Sequence, residues 1–256
     1  MSMRIASSRP SLALIREARL VFACWWGLAL VAIPVPVLGG AVGTLPAFAG
    51  LALFAGLLVA LERKLAAHHP HPRLGLANRI TLVRAAIACV IAARALEPAP
   101  LGEHERWLLA AIAGTGLVLD GADGWAARRE GLASAFGARF DMEVDAFAIA
   151  VLAIIVVRAQ AAPCWVLAIG AMRYFYLAAG LALPLLRCPL PPRPVADRRR
   201  KTIAVVQSVT LLVALLPATS VSWASAVCAA ALALLTYSFA NDVAILLSLG
   251  RMGEVE

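Results

Sequence analysis

Charge is scarce in this chain. Only 15% of its residues are Asp, Glu, Lys or Arg, while 62% are hydrophobic; soluble domains carry about a quarter charged residues and about half apolar ones. Such a composition excludes an ordinary water-soluble domain. Apolar-polar alternation with a period of two is also missing, and Ala and Leu dominate, which argues against strands. The five cysteines, at 24, 89, 164, 188 and 228, are scattered and never spaced CxxC. They form no disulfide framework or metal motif and read as small packing residues. No repeat of fixed period is visible. The histidines of the HHPHP run, His68, His69 and His71, are broken up by prolines and have no partner cluster, so they read as a solvated interfacial loop rather than zinc ligands.

Long apolar runs are what the sequence has instead. A span of the hydrocarbon core needs roughly 20 mostly apolar residues, and eight stretches qualify, at about 20–42, 45–62, 79–97, 106–122, 140–158, 163–186, 203–218 and 222–249. Prolines inside them, such as Pro34, Pro36 and Pro184, are tolerated where neighbouring helices satisfy the freed backbone. Placing the N-terminus in the cytoplasm puts 19 of the 23 Lys and Arg residues on that side, as the positive-inside rule requires. Arg94, Arg106, Arg158 and Arg173 are the exceptions. The net charge of +8 therefore marks a face that meets anionic lipid head groups and phosphates. It follows topology rather than one groove-sized element, so nucleic acid is not an expected partner.

The expected organisation is a cytoplasmic segment 1–19, a two-helix unit 20–66, a six-helix body 67–249 and a cytoplasmic tail 250–256. With no small-residue cleavage site evident, the first apolar run reads as a retained helix. Asn78 is the expected N-cap of the helix that opens the body. The Pro- and Arg-rich stretch 187-RCPLPPRPVADRRRKT-202 reads as a cytoplasmic loop.

Against this background, residues 120-DGADGWAARREGLASAFGARFDMEVD-145 contain four aspartates, three arginines and two glutamates. Asp120 and Asp123 are three apart at the end of one span; Asp141 and Asp145 are four apart at the start of the next. On helices both spacings place a pair on one face, and the turn between the spans lets the pairs face each other. Four converging carboxylates repel unless cations hold them. Hard divalent ions fit oxygen ligands of this kind, Mg²⁺ or Mn²⁺ above all, and Mg²⁺ usually shares its shell with substrate phosphates. Gly124 and Gly137 leave the backbone bare for close approach of a substrate, and Arg128 offers a planar fork for phosphate oxygens. Arg129, Glu130 and Glu143 read as solvated interfacial charges. Acids facing the membrane interior are seldom idle.

The spacing D-x2-D-G-x2-A-R-x8-G-x3-D-x3-D is met by Asp120, Asp123, Gly124, Ala127, Arg128, Gly137, Asp141 and Asp145. It resembles the signature of the CDP-alcohol phosphotransferase family, integral membrane enzymes of phospholipid synthesis, and the resemblance extends over about 75–249. Residues 78-NRITLVR-84, with Thr81 at their centre, look like the family's entry helix. The resemblance implies an all-α integral membrane fold with a six-helix body, to which two extra N-terminal transmembrane helices are added here. It implies two Mg²⁺ or Mn²⁺ ions on Asp120, Asp123 and Asp141, and Asp145 as the general base. Gly124, Arg128 and Gly137 would then contact the cytidine diphosphate, and Thr81 of the entry helix would be a further substrate-binding residue. The expected reaction moves a phosphatidyl group from CDP-diacylglycerol to a small polar alcohol and releases CMP. The expected setting is a multi-pass homodimer in the cytoplasmic (inner) membrane with its site facing the cytoplasm.

For the acceptor, Arg173 lies within a span in AIGAMRYFYLAAG, with an acceptor phosphate or Asp242 as the expected partner. The run Arg198–Lys201 followed by Thr202 resembles the basic element of phosphatidylglycerophosphate synthases, which makes Arg199 and Lys201 candidate phosphate contacts. Those synthases follow the span-six Arg with Glu and place a second Arg about two turns later, where this chain has Tyr174 and Leu181. The acceptor therefore stays open. Two other readings compete: an intramembrane prenyltransferase, which lacks the DGxxAR core, and an ion-coupled transporter, whose acids would sit at mid-membrane in two related halves.

Overall fold

A computed structural model describes residues 43–68, 71, 73–130, 132, 134–183 and 194–253, together with 16, 17, 19, 20 and 23. The span expected at 20–42 and most of the segment 1–19 lie outside these residues. Among the described residues the regular structure is helical throughout. The long helices are α1 (Thr44–His68), α2 (Leu76–Leu96), α3 (Glu103–Glu130), α4 (Ala135–Arg158), α5 (Leu167–Ala182), α6 (Pro194–Leu215) and α7 (Val221–Gly253), with a 3₁₀ turn, Cys164–Val166, leading into α5.

Among the described residues four stretches are long and apolar enough to cross a membrane: Thr44–Leu65, Leu76–Leu96, Cys164–Ala182 and Val221–Ser248. The protein is a multi-pass membrane protein. The other three long helices carry charge where the sequence reading placed spans or their ends: Asp120 and Asp123 in α3, Asp141, Glu143 and Asp145 in α4, and Arg198–Lys201 in α6. Large apolar side chains stand exposed on the helices, among them Leu45, Phe48, Val118, Phe175, Leu181 and Trp223. In water an apolar surface of this extent is rare in a monomer; against lipid it is the expected exterior.

The chain forms two compact units. The first holds α1, α2, the part of α3 from Val118 onward and α4 as far as Val144. Here α1 lies close along α2: a Cβ at Gly50 would stand 2.8 Å from the Ala93 Cβ and 3.1 Å from the Cys89 carbonyl. Without lipid-water contrast to drive them together, membrane helices associate through such close backbone contacts. The Glu97 carboxylate accepts from the Gly43 N–H at 2.5 Å, which satisfies one of the donors left open at the start of α1. N-terminal residues are tied in as well, through Arg79–Glu17 at 2.6 Å and Arg19–Glu62 at 2.7 Å.

The start of α2 differs from the sequence expectation. The N-cap is Gly75, at φ 80° and ψ 153°, and no side chain of its own caps the helix. Asn78 sits one turn further in, buried, and its amide donates to the Leu74 carbonyl at 2.5 Å. The cap comes from elsewhere: Glu130, at the end of α3, accepts from the Leu76 N–H at 2.7 Å. A carboxylate at that point answers both an open donor and the positive end of the helix dipole. The positive φ of Gly75 leaves the position to glycine.

The second unit holds the first part of α3, α4 from Asp145, and α5 to α7. Three of the arginines that broke the positive-inside pattern belong to it, and two of them find carbonyls. Arg106 donates to the Leu215 and Leu216 carbonyls at 3.0 and 3.2 Å, closing the C-terminus of α6, where a cation is favoured. Arg158 donates to the Ala99 carbonyl at 3.5 Å. The RRRKT stretch is helical rather than loop: α6 begins at Pro194, and proline suits the first turn because its missing N–H would be unpaired there anyway. Cys89 and Cys228 are buried, as packing residues should be, while Cys164 is exposed.

In the second unit α5 comes close to α4 at Gly170, where a Cβ would stand 2.5 Å from the Ala150 Cα. Gly170→Ala should cost about 1–3 kcal/mol, since backbone cannot yield as a side chain would. Gly56→Ala, where an added Cβ meets nothing within 4 Å, should be neutral or slightly stabilising. Thermal unfolding of both variants in one detergent checks the contrast, and equal stability would refute the close approach.

Candidate metal and phosphate site

The site is assembled by α2, α3 and α4. Spacings of three put Asn78, Thr81 and Arg84 on one face of α2, and all three are buried. The Thr81 hydroxyl donates to the Ala77 carbonyl at 3.1 Å. Arg84 reaches both neighbouring helices: Nη2 lies 2.7 Å from Asp120 Oδ1 on α3, and Nη1 lies 2.5 Å from Asp141 Oδ1 on α4. The Arg84 side chain is 7% exposed, while Asp120 and Asp141 are 23% and 31% exposed. A guanidinium held by two carboxylates from two helices is a strong, directional contact.

Asp145 follows one turn after Asp141 on α4. Asp120, Asp141 and Asp145 each offer a carboxylate oxygen, and these oxygens lie within 4.8 Å of one another. Three half-buried carboxylates at that separation suit a hard divalent cation, so the donor set fits Mg²⁺ or Mn²⁺. The side chains of Asp123 and Arg128 lie outside the described residues; their backbone is helical within α3, as is that of Gly124. Ser134 caps α4 by accepting from the Gly137 N–H at 3.0 Å, a standard N-terminal bond. A Cβ on Gly137 would come 3.0 Å from the Asn78 Oδ1 and 3.3 Å from the Ser134 Oγ, so this glycine lets α4 pack against the α2 face that carries Arg84.

A second polar cluster joins α6 to α7. Asp242 is 10% exposed and takes a two-point contact from Arg200, Nε at 2.9 Å and Nη2 at 3.1 Å, with Arg199 Nη2 at 3.3 Å. With its amide turned to oppose the guanidinium, the Asn241 oxygen accepts from Arg199 at 2.9 and 3.1 Å. The Arg199 guanidinium also lies 5.8 Å from the Tyr237 ring centroid, within cation–π range. Asp242 is thus engaged by α6 arginines. Arg173, for which the sequence offers an acceptor phosphate or Asp242 as partner, is half-buried on α5. Lys201 and Arg198 are exposed.

Two contributors escaped the sequence reading. Arg84 was legible only as part of the entry-helix resemblance, and nothing in the sequence pairs it with Asp120 and Asp141. Glu130 is exposed, as its surface reading implies, and in addition caps α2; only the fold reveals a cap 54 residues distant.

The family model of the CDP-alcohol phosphatidyltransferases matches residues 74–237. No curated relative and no solved structure matches the chain. The matched segment runs from just before α2 into α7 and contains the three converging aspartates, Arg84 and the α6 arginines.

If the carboxylate cluster holds cations, removing one of its charges must weaken them. Asp120→Asn and Asp141→Asn should each raise the Kd for Mn²⁺ by at least about tenfold, given the strength of close charge pairs away from bulk water. Titration of Mn²⁺ followed by electron paramagnetic resonance reads this directly, and wild-type affinity in both variants would remove the metal role.

Proposed function

The chain belongs to the CDP-alcohol phosphatidyltransferase family, and from that premise we propose that it transfers a phosphatidyl group from CDP-diacylglycerol to a small polar alcohol, releasing CMP. The family supports a phosphotransferase of phospholipid synthesis. The observation that carries the finer reading is the convergence of Asp120, Asp141 and Asp145 on two helices that bear every fixed position of the DGxxAR signature.

In this proposal Asp120, Asp123 and Asp141 hold the divalent ions, which supply neutralisation of phosphoryl charge. Asp145 accepts the proton of the acceptor hydroxyl as its oxygen attacks the phosphorus nearer the diacylglycerol. The bond from that phosphorus to the CMP oxygen breaks, and CMP leaves with the bonding electron pair. Gly124, Gly137 and Thr81 line the approach of the cytidine diphosphate, and Arg128 bonds its phosphate oxygens. Fixing two substrates in line accounts for much of the rate. Arg173, Arg199 and Lys201 are the proposed contacts of an anionic acceptor, as in a phosphatidylglycerophosphate synthase. In that role Arg199 would turn from Asp242 while Arg200 keeps its two-point contact. The proposed setting is a homodimer in the cytoplasmic membrane, with the site facing the cytoplasm.

Purified protein incubated with CDP-diacylglycerol, Mn²⁺ and a panel of alcohols should release CMP with one class of acceptor. Absence of CMP with every acceptor would refute the reading. Asp145→Asn should lose about 10²–10⁴-fold in turnover, the usual contribution of general base catalysis, while still binding nucleotide in the presence of metal. Loss of nucleotide binding as severe as in Asp120→Asn would make Asp145 a metal ligand instead.

A further inference from the structure

Arg84 has a second consequence. It is buried between two of the carboxylates proposed as metal ligands and holds Oδ1 of each, at 2.7 Å on Asp120 and 2.5 Å on Asp141. We infer that Arg84 is a positioning residue that acts as a resident cation of the site: it links α3 to α4 through their aspartates and competes with divalent ions for the same oxygens. The inference rests on the proposed metal role of Asp120 and Asp141.

The charges make the argument. Arg84, Asp120, Asp141 and Asp145 alone carry +1 and −3, which leaves −2, enough to attract a divalent ion but less than the bare carboxylates would offer. A fixed positive charge within a few ångströms of an incoming cation repels it strongly where water is partly excluded. Arg84 therefore keeps the carboxylates together without cations and lowers their affinity for cations. The loss of affinity has a use in a site that must also take a diphosphate: two divalent ions and Arg84 against four aspartates leave the site net positive toward that substrate. Burial of Arg84 on the same α2 face as Asn78, against which Gly137 of α4 packs, fixes the guanidinium in place.

A merely structural arginine and a resident cation differ in the sign of one measurement. If Arg84 only shaped the site, removing it would loosen the carboxylates and weaken metal binding. As a resident cation, its removal should tighten Mn²⁺ binding. The test measures Mn²⁺ affinity by electron paramagnetic resonance, and thermal unfolding with and without Mn²⁺, in the full-length wild type, Arg84→Gln and Arg84→Lys. Arg84→Gln should bind Mn²⁺ at least about tenfold more tightly and be less stable than wild type without metal, with a larger stabilisation by Mn²⁺. Arg84→Lys keeps the charge but not the fork that spans two carboxylates, so it should fall between wild type and Arg84→Gln. It also decides the matter if Arg84→Gln does not fold. Unchanged or weaker Mn²⁺ binding in the folded variants, with the wild type binding normally, overturns the role of Arg84 alone. Failure of the wild type and both variants to bind Mn²⁺ overturns the metal reading and this inference together.

Discussion

A carboxylate set among apolar helices must find a cation, and the contact of Arg84 with Asp120 and Asp141 is the one on which the rest of the site depends. It joins α2, α3 and α4 at one point, because each of the three groups comes from a different helix. Breaking one partner of such a buried arrangement leaves an uncompensated charge, which is among the costliest changes a protein interior can suffer. The surrounding features serve the same junction. Glu130 fixes the start of α2 from the end of α3, Ser134 fixes the start of α4, and Gly137 lets α4 approach Asn78.

The same economy of polar groups appears away from the site. Arg106 and Arg158 use carbonyl oxygens as partners, and Asp242 gathers Arg199 and Arg200. Where hydration is unavailable, every polar group needs an internal partner, so helix ends and isolated charges satisfy one another. Arg106, which looked anomalous against the topology of the other arginines, is in this way accounted for by its two carbonyl partners at the end of α6.

How much was legible beforehand differs by feature, for physical reasons. Apolar length and the absence of alternation identify a helical membrane protein, since those properties are set residue by residue. The aspartate pairs were readable because spacings of three and four on a helix place side chains on one face; the fixed spacing of the surrounding glycines and Arg128 led to the family, which the match over residues 74–237 supports. Long-range partners were not readable. The link from Arg84 to Asp141 spans 57 positions, and the cap given by Glu130 to α2 depends on where α3 ends in space. Asn78 looked like an N-cap because its residue type favours one, but the chain turns earlier, at Gly75, with Glu130 supplying the acceptor. Proline and arginine density made 187–202 look like loop, although Pro194 starts α6 in the position proline tolerates best.

The central claim is that Asp120 and Asp141, together with Asp123, hold the cations that receive a cytidine diphosphate, while Asp145 close beside them serves as the base. Anomalous diffraction from crystals grown with Mn²⁺ and a CDP-bearing lipid tests it most directly. The account predicts manganese peaks at bonding distance from the Asp120 and Asp141 carboxylates, with the diphosphate against them and Asp145 toward the acceptor side. Manganese bound elsewhere, or a diphosphate seated away from these aspartates, would contradict it.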